Sequence, residues 1–224
     1  MLFRTFVATF ILLCIGKAEA EHFDYYVFAQ QWPATTCTKW KSGGSFKSCN
    51  FPNMQVWTVH GVWPSRHSDR GPEYCDANDT FSPAKIADIE TDLSNQWTDV
   101  QAKSDRYQFW EYEWRKHGTC ASFDSVSEYF RRGLLWQEAT SLAHVFRTSG
   151  LHPSNDNFYD FNDFFEAVSR QVGTEALIKC HQSRGRSLLH EVRICYSKNL
   201  ETMDCPKYKS DCGNKVLYLD YHEA

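Results

Sequence analysis

The sequence predicts an α+β fold: a central antiparallel β-sheet packed with helices and stabilised by disulfides. Three observations point there. Strand-like alternation and helical periodicity follow one another without a regular βαβ rhythm. Hydrophobic residues make up 42% of the 224 residues and aromatics 16%, which is enough to build a core and too much for a disordered chain. Nine cysteines are many for a chain of this length and suit an oxidising compartment.

The elements are read in order. Tyr25 to Gln31 mixes aromatics, Val and Gln in a strand-like run that Pro33 ends. Lys41 to Lys47 is a Gly/Ser loop. Gln55 to Val62 alternates, with Val56, Thr58 and His60 against Trp57 and Val59, and Gly61 and Pro64 close it. Ser65 to Thr80 is loop. Ser82-Pro83 opens a helix through about Leu93, with Ile86, Ile89 and Leu93 on one side. Tyr107 to Lys116 is a second helix, Ser125 to Leu142 holds one or two more, and Phe158 to Val172 another. Ile178 to Cys180, Leu188 to Tyr196 and Lys215 to Leu219 read as strands. No repeat or low-complexity linker interrupts the chain.

The first twenty residues explain the odd number of cysteines. Arg4, the apolar run Phe6 to Ile15 and the small-x-small site Ala18-Glu19-Ala20 form a secretory signal peptide, 1–20. The run is too short to span a bilayer. Cleavage removes Cys14 and leaves a single domain, 21–224, that starts at Glu21 and carries eight cysteines. These are Cys37, Cys49, Cys75, Cys120, Cys180, Cys195, Cys205 and Cys212. They read as four disulfides, and spacing alone leaves roughly a hundred pairings open. No Cys-x-x-Cys pair supports a zinc site. The last residues show neither an ER-retention signal nor a lipid-anchor tail. The expectation is a monomer without membrane attachment, secreted or delivered to lysosomes. Asn78-Asp79-Thr80 is a glycosylation sequon.

The formal net charge of −4 excludes a cationic nucleic-acid coat. Two segments nonetheless carry chemistry. In Trp57-Thr58-Val59-His60-Gly61-Val62-Trp63-Pro64, alternation turns His60 away from Trp57 and Val59, and Trp63 offers a flat ring. Read alone, this segment also fits a histidine closing the end of a sheet. In Phe109 to Cys120, Phe109, Tyr112, Glu113, Lys116 and His117 fall within an arc of roughly 140°. Trp110 and Trp114 lie beside that arc and can bury. Glu111 and Arg115 can pair at i,i+4 on the far side. A plain i,i+3 surface pair also fits Glu113 and Lys116, and His117-x-x-Cys120 also admits a metal. Two histidines on different elements, with a lysine and a glutamate, suit phosphodiester transesterification. One imidazole takes a proton from the attacking hydroxyl, the other protonates the leaving oxygen, and the lysine stabilises the phosphorane.

Together the two segments resemble the active-site segments of the ribonuclease T2 family. Phe28-Ala29-Gln30-Gln31-Trp32-Pro33 followed by Cys37 is similar to that family's first strand, and Ile194-Cys195, Asp204-Cys205 and Asp211-Cys212 to its C-terminal end. The resemblance implies an acid endoribonuclease that cleaves single-stranded RNA through 2′,3′-cyclic phosphates, without metal or cofactor. It implies His117 as general base, His60 as general acid, and Glu113 and Lys116 on the phosphorane. It places Trp63 on the upstream base or sugar, and Gln31 and Phe109 at the downstream base. It implies the disulfides Cys37–Cys49, Cys75–Cys120, Cys180–Cys212 and Cys195–Cys205. Tyr112 departs from the pattern, because the family usually carries a third, phosphate-binding histidine there. That departure leaves a second reading: a catalytically weak member acting as a secreted binding or immunomodulatory protein. The loop Ser65 to Glu73 shows no base-reading pattern. A net negative chain can still hold a single strand through aromatic stacking and a local cationic pocket.

Overall fold

The computed structural model describes residues 22–44, 46–102, 105–206 and 210–221; the expected signal peptide, 1–20, and the start at Glu21 lie outside them. The chain runs β1 (Tyr25–Gln31), α1 (Pro33–Lys41), β2 (Thr58–Ser65), α2 (Glu90–Gln96), α3 (Gln108–Lys116), α4 (Val126–Thr140), α5 (Leu142–Thr148), β3 (Phe158–Asp160), α6 (Phe161–Val172), β4 (Leu177–Ser183), β5 (Arg186–Ser197), β6 (Thr202–Met203) and β7 (Lys215–Leu217). Strands run in the order β2-β1-β5-β7-β3, and β4 and β6 also pair with β5. The sheet is antiparallel except at one place: β5 meets β7 in parallel through Leu188 and Leu217.

β1 is buried along its whole length because both of its faces are covered. Tyr26 and Phe28 join the main core under the helices, with Val59, Val62, Val192 and Ile194 from the neighbouring strands. Tyr25 and Val27 point the other way, to a smaller cluster with Cys195 that Trp63 packs against. Pro64 lies within β2, which its place at the sheet edge permits.

Four segments differ from the sequence expectation. The strand read from Gln55 to Val62 and closed by Gly61 and Pro64 is instead β2, Thr58–Ser65, which runs through both because its pairing with β1 extends to Ser65. After Pro33 the chain forms helix α1, whose buried residues Pro33 to Cys37 are Thr-rich and give little helical signal. Ser82 to Leu93 is divided into a 3₁₀ turn, Pro83–Ile86, and then α2, with Ile89 non-helical between them. Ile86, Ile89 and Leu93 are still all buried. Phe158 to Asp160 leaves the expected helix to pair with β7, and α6 begins only at Phe161.

Four disulfides join Cys37 to Cys49, Cys75 to Cys120, Cys180 to Cys212 and Cys195 to Cys205. The second ties the end of α3 to the loop that follows β2. Among the described residues no helix is long and apolar enough to cross a membrane.

Candidate active site

The site is built on one face of β2, β1 and β5. Gln31 stands beside Glu191, Ala29 lies between Gly61 and Arg193, and Val27 lies between Trp63 and Cys195. Residues two apart on a strand share a face, so these rows form one surface. Two members of the middle row, Gly61 and Ala29, are small, which leaves room above them for large polar side chains such as that of Arg193.

Two ladders of the sheet slip, β1–β2 and β4–β5, on either side of the regular β1–β5 ladder, and each slip carries a histidine. Ala29 pairs with Gly61 but Gln30 with Val59, so His60 is an extra, unpaired residue. Lys179 pairs with Glu191 but Cys180 with Leu189, so His190 is extra in the same way. A β-bulge of this kind re-aims side chains. It lets Val59 and Val62, three apart, both enter the core, which strict alternation would forbid. His60 is thereby turned to the site together with Gly61.

The bulged backbone is held from behind. The Trp97 indole N–H donates to the His60 carbonyl at 3.2 Å, and the Trp110 indole N–H donates to the Trp97 carbonyl at 2.8 Å. Tyr129 on α4 donates to the Val62 carbonyl at 3.1 Å, and Gln137 on α4 donates to the Trp57 carbonyl. Gly133 gives Trp97 its place, because a Cβ there would lie 2.3 Å from the indole ring.

His60 Nδ1 and Glu191 Oε2 are 2.6 Å apart, with Glu191 3% and His60 33% exposed. Arg193 Nε donates to the other Glu191 oxygen at 2.6 Å. Burial disfavours charge on His60. The charge and hydrogen bond of Glu191, with the charge of Glu113, outweigh that and raise its pKa above the ordinary 6.5. Burial likewise opposes ionisation of Glu191, but His60 and Arg193 hold its carboxyl well below the usual carboxylate range.

From α3, Trp110 and Trp114 enter the core while Glu111 and Arg115 face solvent 3.7 Å apart. Glu113 is buried and accepts a hydrogen bond from the Trp63 indole at 3.0 Å. Burial pushes its pKa up to about 7, although His60, the Trp63 bond and Lys116 all pull it down. His117 caps the helix. Burial, then the charges of Lys116 and His60, push its pKa down to about 3. Its Nδ1 is buried with no hydrogen-bond partner among the described residues.

Trp63 connects the two histidines: its ring lies 5.0 Å from His60 and 5.6 Å from His117, between ring centroids. The Arg193 guanidinium lies 5.1 Å from the same ring. Trp63 was expected only as a stacking surface, but its N–H is also committed to Glu113. Lys116 donates to the Tyr112 hydroxyl at 2.9 Å and lies 3.4 Å from Glu73, so Tyr112 orients the lysine.

A cavity of about 190 Å³ opens beside this cluster. Gln31, His60, Phe109, Tyr112 and Glu113 line it, with Thr36, Asp99, Val100 and Gln101. The Thr36 hydroxyl donates to the Gln31 side-chain amide oxygen, Oε1, at 3.1 Å. A larger cavity of about 890 Å³ lies between α2, α4 and the segment before β2, but no histidine lines it. Five of the eight expected site residues line the smaller cavity, and Trp63, Lys116 and His117 adjoin them through the Trp63–Glu113, Trp63–His117 and Lys116–Tyr112 contacts. Glu191 and Arg193 were not foreseen. Their signal was a charged His-Glu pair inside the apolar strand Leu188 to Cys195. At one pH this geometry offers a charged imidazole, a neutral imidazole, an ammonium and a buried carboxyl.

A model of the Ribonuclease T2 family matches residues 23–205. Ribonuclease Oy of Magallana gigas is 33% identical over 193 residues, covering 82% of this chain and 88% of that protein. Intracellular ribonuclease LX of Solanum lycopersicum is 27% identical over 224 residues, covering 96% of this chain and 90% of that protein. The crystal structure of RNase NT in complex with 5′-AMP superposes with a TM-score of 0.79 at 26% identity, covering 89% of this chain and 99% of that one.

Gly61 tests how tightly the cluster is packed. A Cβ at this position would fall 2.1 Å from Trp63 Nε1 and 2.3 Å from Glu113 Oε2. Gly61→Ala is expected to break that hydrogen bond, cost about 1–3 kcal/mol in urea unfolding and shift tryptophan emission. Wild-type stability with unchanged emission would contradict the packing described.

Proposed function

This chain belongs to the ribonuclease T2 family and is an endoribonuclease of the T2 type, and from that premise we propose that it cleaves single-stranded RNA by metal-free transphosphorylation through 2′,3′-cyclic phosphates. His117 is the general base. It accepts the proton of the 2′-hydroxyl as that oxygen attacks the adjacent phosphorus. His60 is the general acid. It gives its proton to the 5′-oxygen as the P–O5′ bond breaks, leaving a 2′,3′-cyclic phosphate and a free 5′-hydroxyl. The attack is intramolecular and needs no external nucleophile.

The observation that carries this reading is the opposite displacement of the two imidazoles. His60 has its pKa raised, which keeps a proton on it to give; His117 has its pKa lowered to about 3, which keeps it neutral and open to accept one. Glu191 is a positioning residue that holds the His60 imidazolium. Lys116 and Glu113 stabilise the phosphorane. Glu113, with a pKa of about 7, carries its proton in acid and can donate it to a phosphoryl oxygen. Trp63 holds Glu113 and contacts the upstream nucleotide, while Gln31 and Phe109 line the downstream base site.

The apolar N-terminal run and the four disulfides support secretion or lysosomal delivery. Asn78 is exposed and is a candidate glycan carrier.

Two tests follow. The rate requires His117 neutral and His60 protonated. It therefore falls in acid as pH drops towards about 3, and falls in base as pH passes the raised His60 value. Activity on single-stranded RNA is expected to be highest below neutrality. His60→Ala and His117→Ala should each lose about 10²–10⁴-fold in kcat. A wild-type profile rising steadily to alkaline pH, or full activity in both variants, would contradict the assignment. The second test concerns Tyr112, which brings a hydroxyl but no positive charge. Opening of the cyclic phosphate should be slow, so mass analysis of a long digest should find cyclic ends in excess. Complete conversion to 3′-monophosphates would contradict this.

A further inference from the structure

A second cavity, of about 220 Å³, continues from the first. They share Gln31, Thr36, His60 and Gln101, and the second runs on to Lys39 and Trp40 of α1, Lys47 of the following loop, and His190. Among the described residues no carboxylate lines it, although the chain as a whole is net negative. Its charged wall is cationic, and the charge of Lys39 reaches both His181 and His190. The Lys47 ammonium lies 3.8 Å from the centre of the Trp40 ring. The Trp40 indole N–H donates to the Ser48 carbonyl at 3.1 Å, and the Cys37–Cys49 disulfide ties α1 to the same loop. Lys47 and the Trp40 ring are thus held against one another, and Lys39 precedes Trp40 on α1. His190 is 8% exposed and is the extra residue of the second bulge, turned into this cavity rather than into the core. The mechanism above uses none of Lys39, Trp40, Lys47 or His190.

We propose that this cavity is a further RNA subsite, which takes the phosphate and base of the nucleotide following the downstream one. It rests on the ribonuclease reading above and extends that cleft in the 3′ direction. The two ammonium groups suit the phosphate. The Trp40 ring offers a stacking surface that any base can use. His190 and the Gln101 amide supply hydrogen-bonding groups for the sugar or base edge. A cationic, aromatic cavity joined to the scission site suits a polymer that continues through it, and gives a net negative enzyme a local hold on its polyanionic substrate.

The experiment compares a dinucleoside monophosphate with the same sequence extended by one nucleotide at its 3′ end. A 2′-deoxy sugar at the second residue of the longer substrate confines cleavage to the first bond. The extension is expected to raise wild-type kcat/KM by roughly tenfold, the scale of one stacked base. In Lys39→Ala/Lys47→Ala, and in Trp40→Ala, the ratio of the two substrates should fall towards one. Lys39→Arg should keep it, which separates charge from folding. A wild-type ratio of one, or a ratio unchanged in the alanine variants, overturns the subsite while leaving the ribonuclease reading intact. Failure of the wild type to cleave either substrate overturns that reading, and the subsite with it.

Discussion

A carboxylate buried inside a sheet, Glu191, meets the His60 imidazole at 2.6 Å, and the chemistry of the cleft is organised around that pair. A buried ion pair is not by itself a strong source of stability, because desolvation offsets much of the attraction. What it supplies here is a fixed charge state and a fixed orientation. Arg193 satisfies the second Glu191 oxygen, so the carboxylate remains ionised and fully bonded. His60 then keeps its proton in a place where burial alone would remove it.

This arrangement requires a strand that departs from period two. The bulge at His60 turns both His60 and Gly61 to the site while Val59 and Val62 stay in the core. The carbonyl freed by the bulge is not left unsatisfied, because Trp97 donates to it and is in turn bonded by Trp110. A chain of indoles therefore links α3, which carries Glu113 and His117, to the backbone of the opposite histidine. Small residues make this contact close enough: Gly61 leaves room for Trp63 and Glu113, and Gly133 for Trp97.

Much of this was legible in the sequence. The stripes of α3 follow from helical periodicity, which separates Trp110 and Trp114 from Glu113 and His117 without reference to any other segment. The bulges were not legible, because alternation read from a sequence assumes an unbroken ladder, and a slip is decided by the partner strand. The same limit hid Glu191: a carboxylate within Leu188 to Cys195 signals a buried charge, but its partner is 131 residues away. Helix α1 was hidden for a different reason. Its Thr-rich first turn has low intrinsic helicity, and burial with the Cys37–Cys49 bridge supports it. The strand at Phe158 was set by pairing with β7, a tertiary choice that local periodicity does not contain.

The central claim is that one imidazole is held charged and the other neutral, the first by Glu191 and the second by burial beside Lys116. Titrating the imidazole resonances of His60 and His117 by NMR measures it directly. The account predicts that His60 titrates above 6.5 and His117 stays neutral down to about 3. It also predicts that Glu191→Gln lowers the His60 value. If both histidines titrate near 6.5, or His60 is unmoved in Glu191→Gln, the account is contradicted.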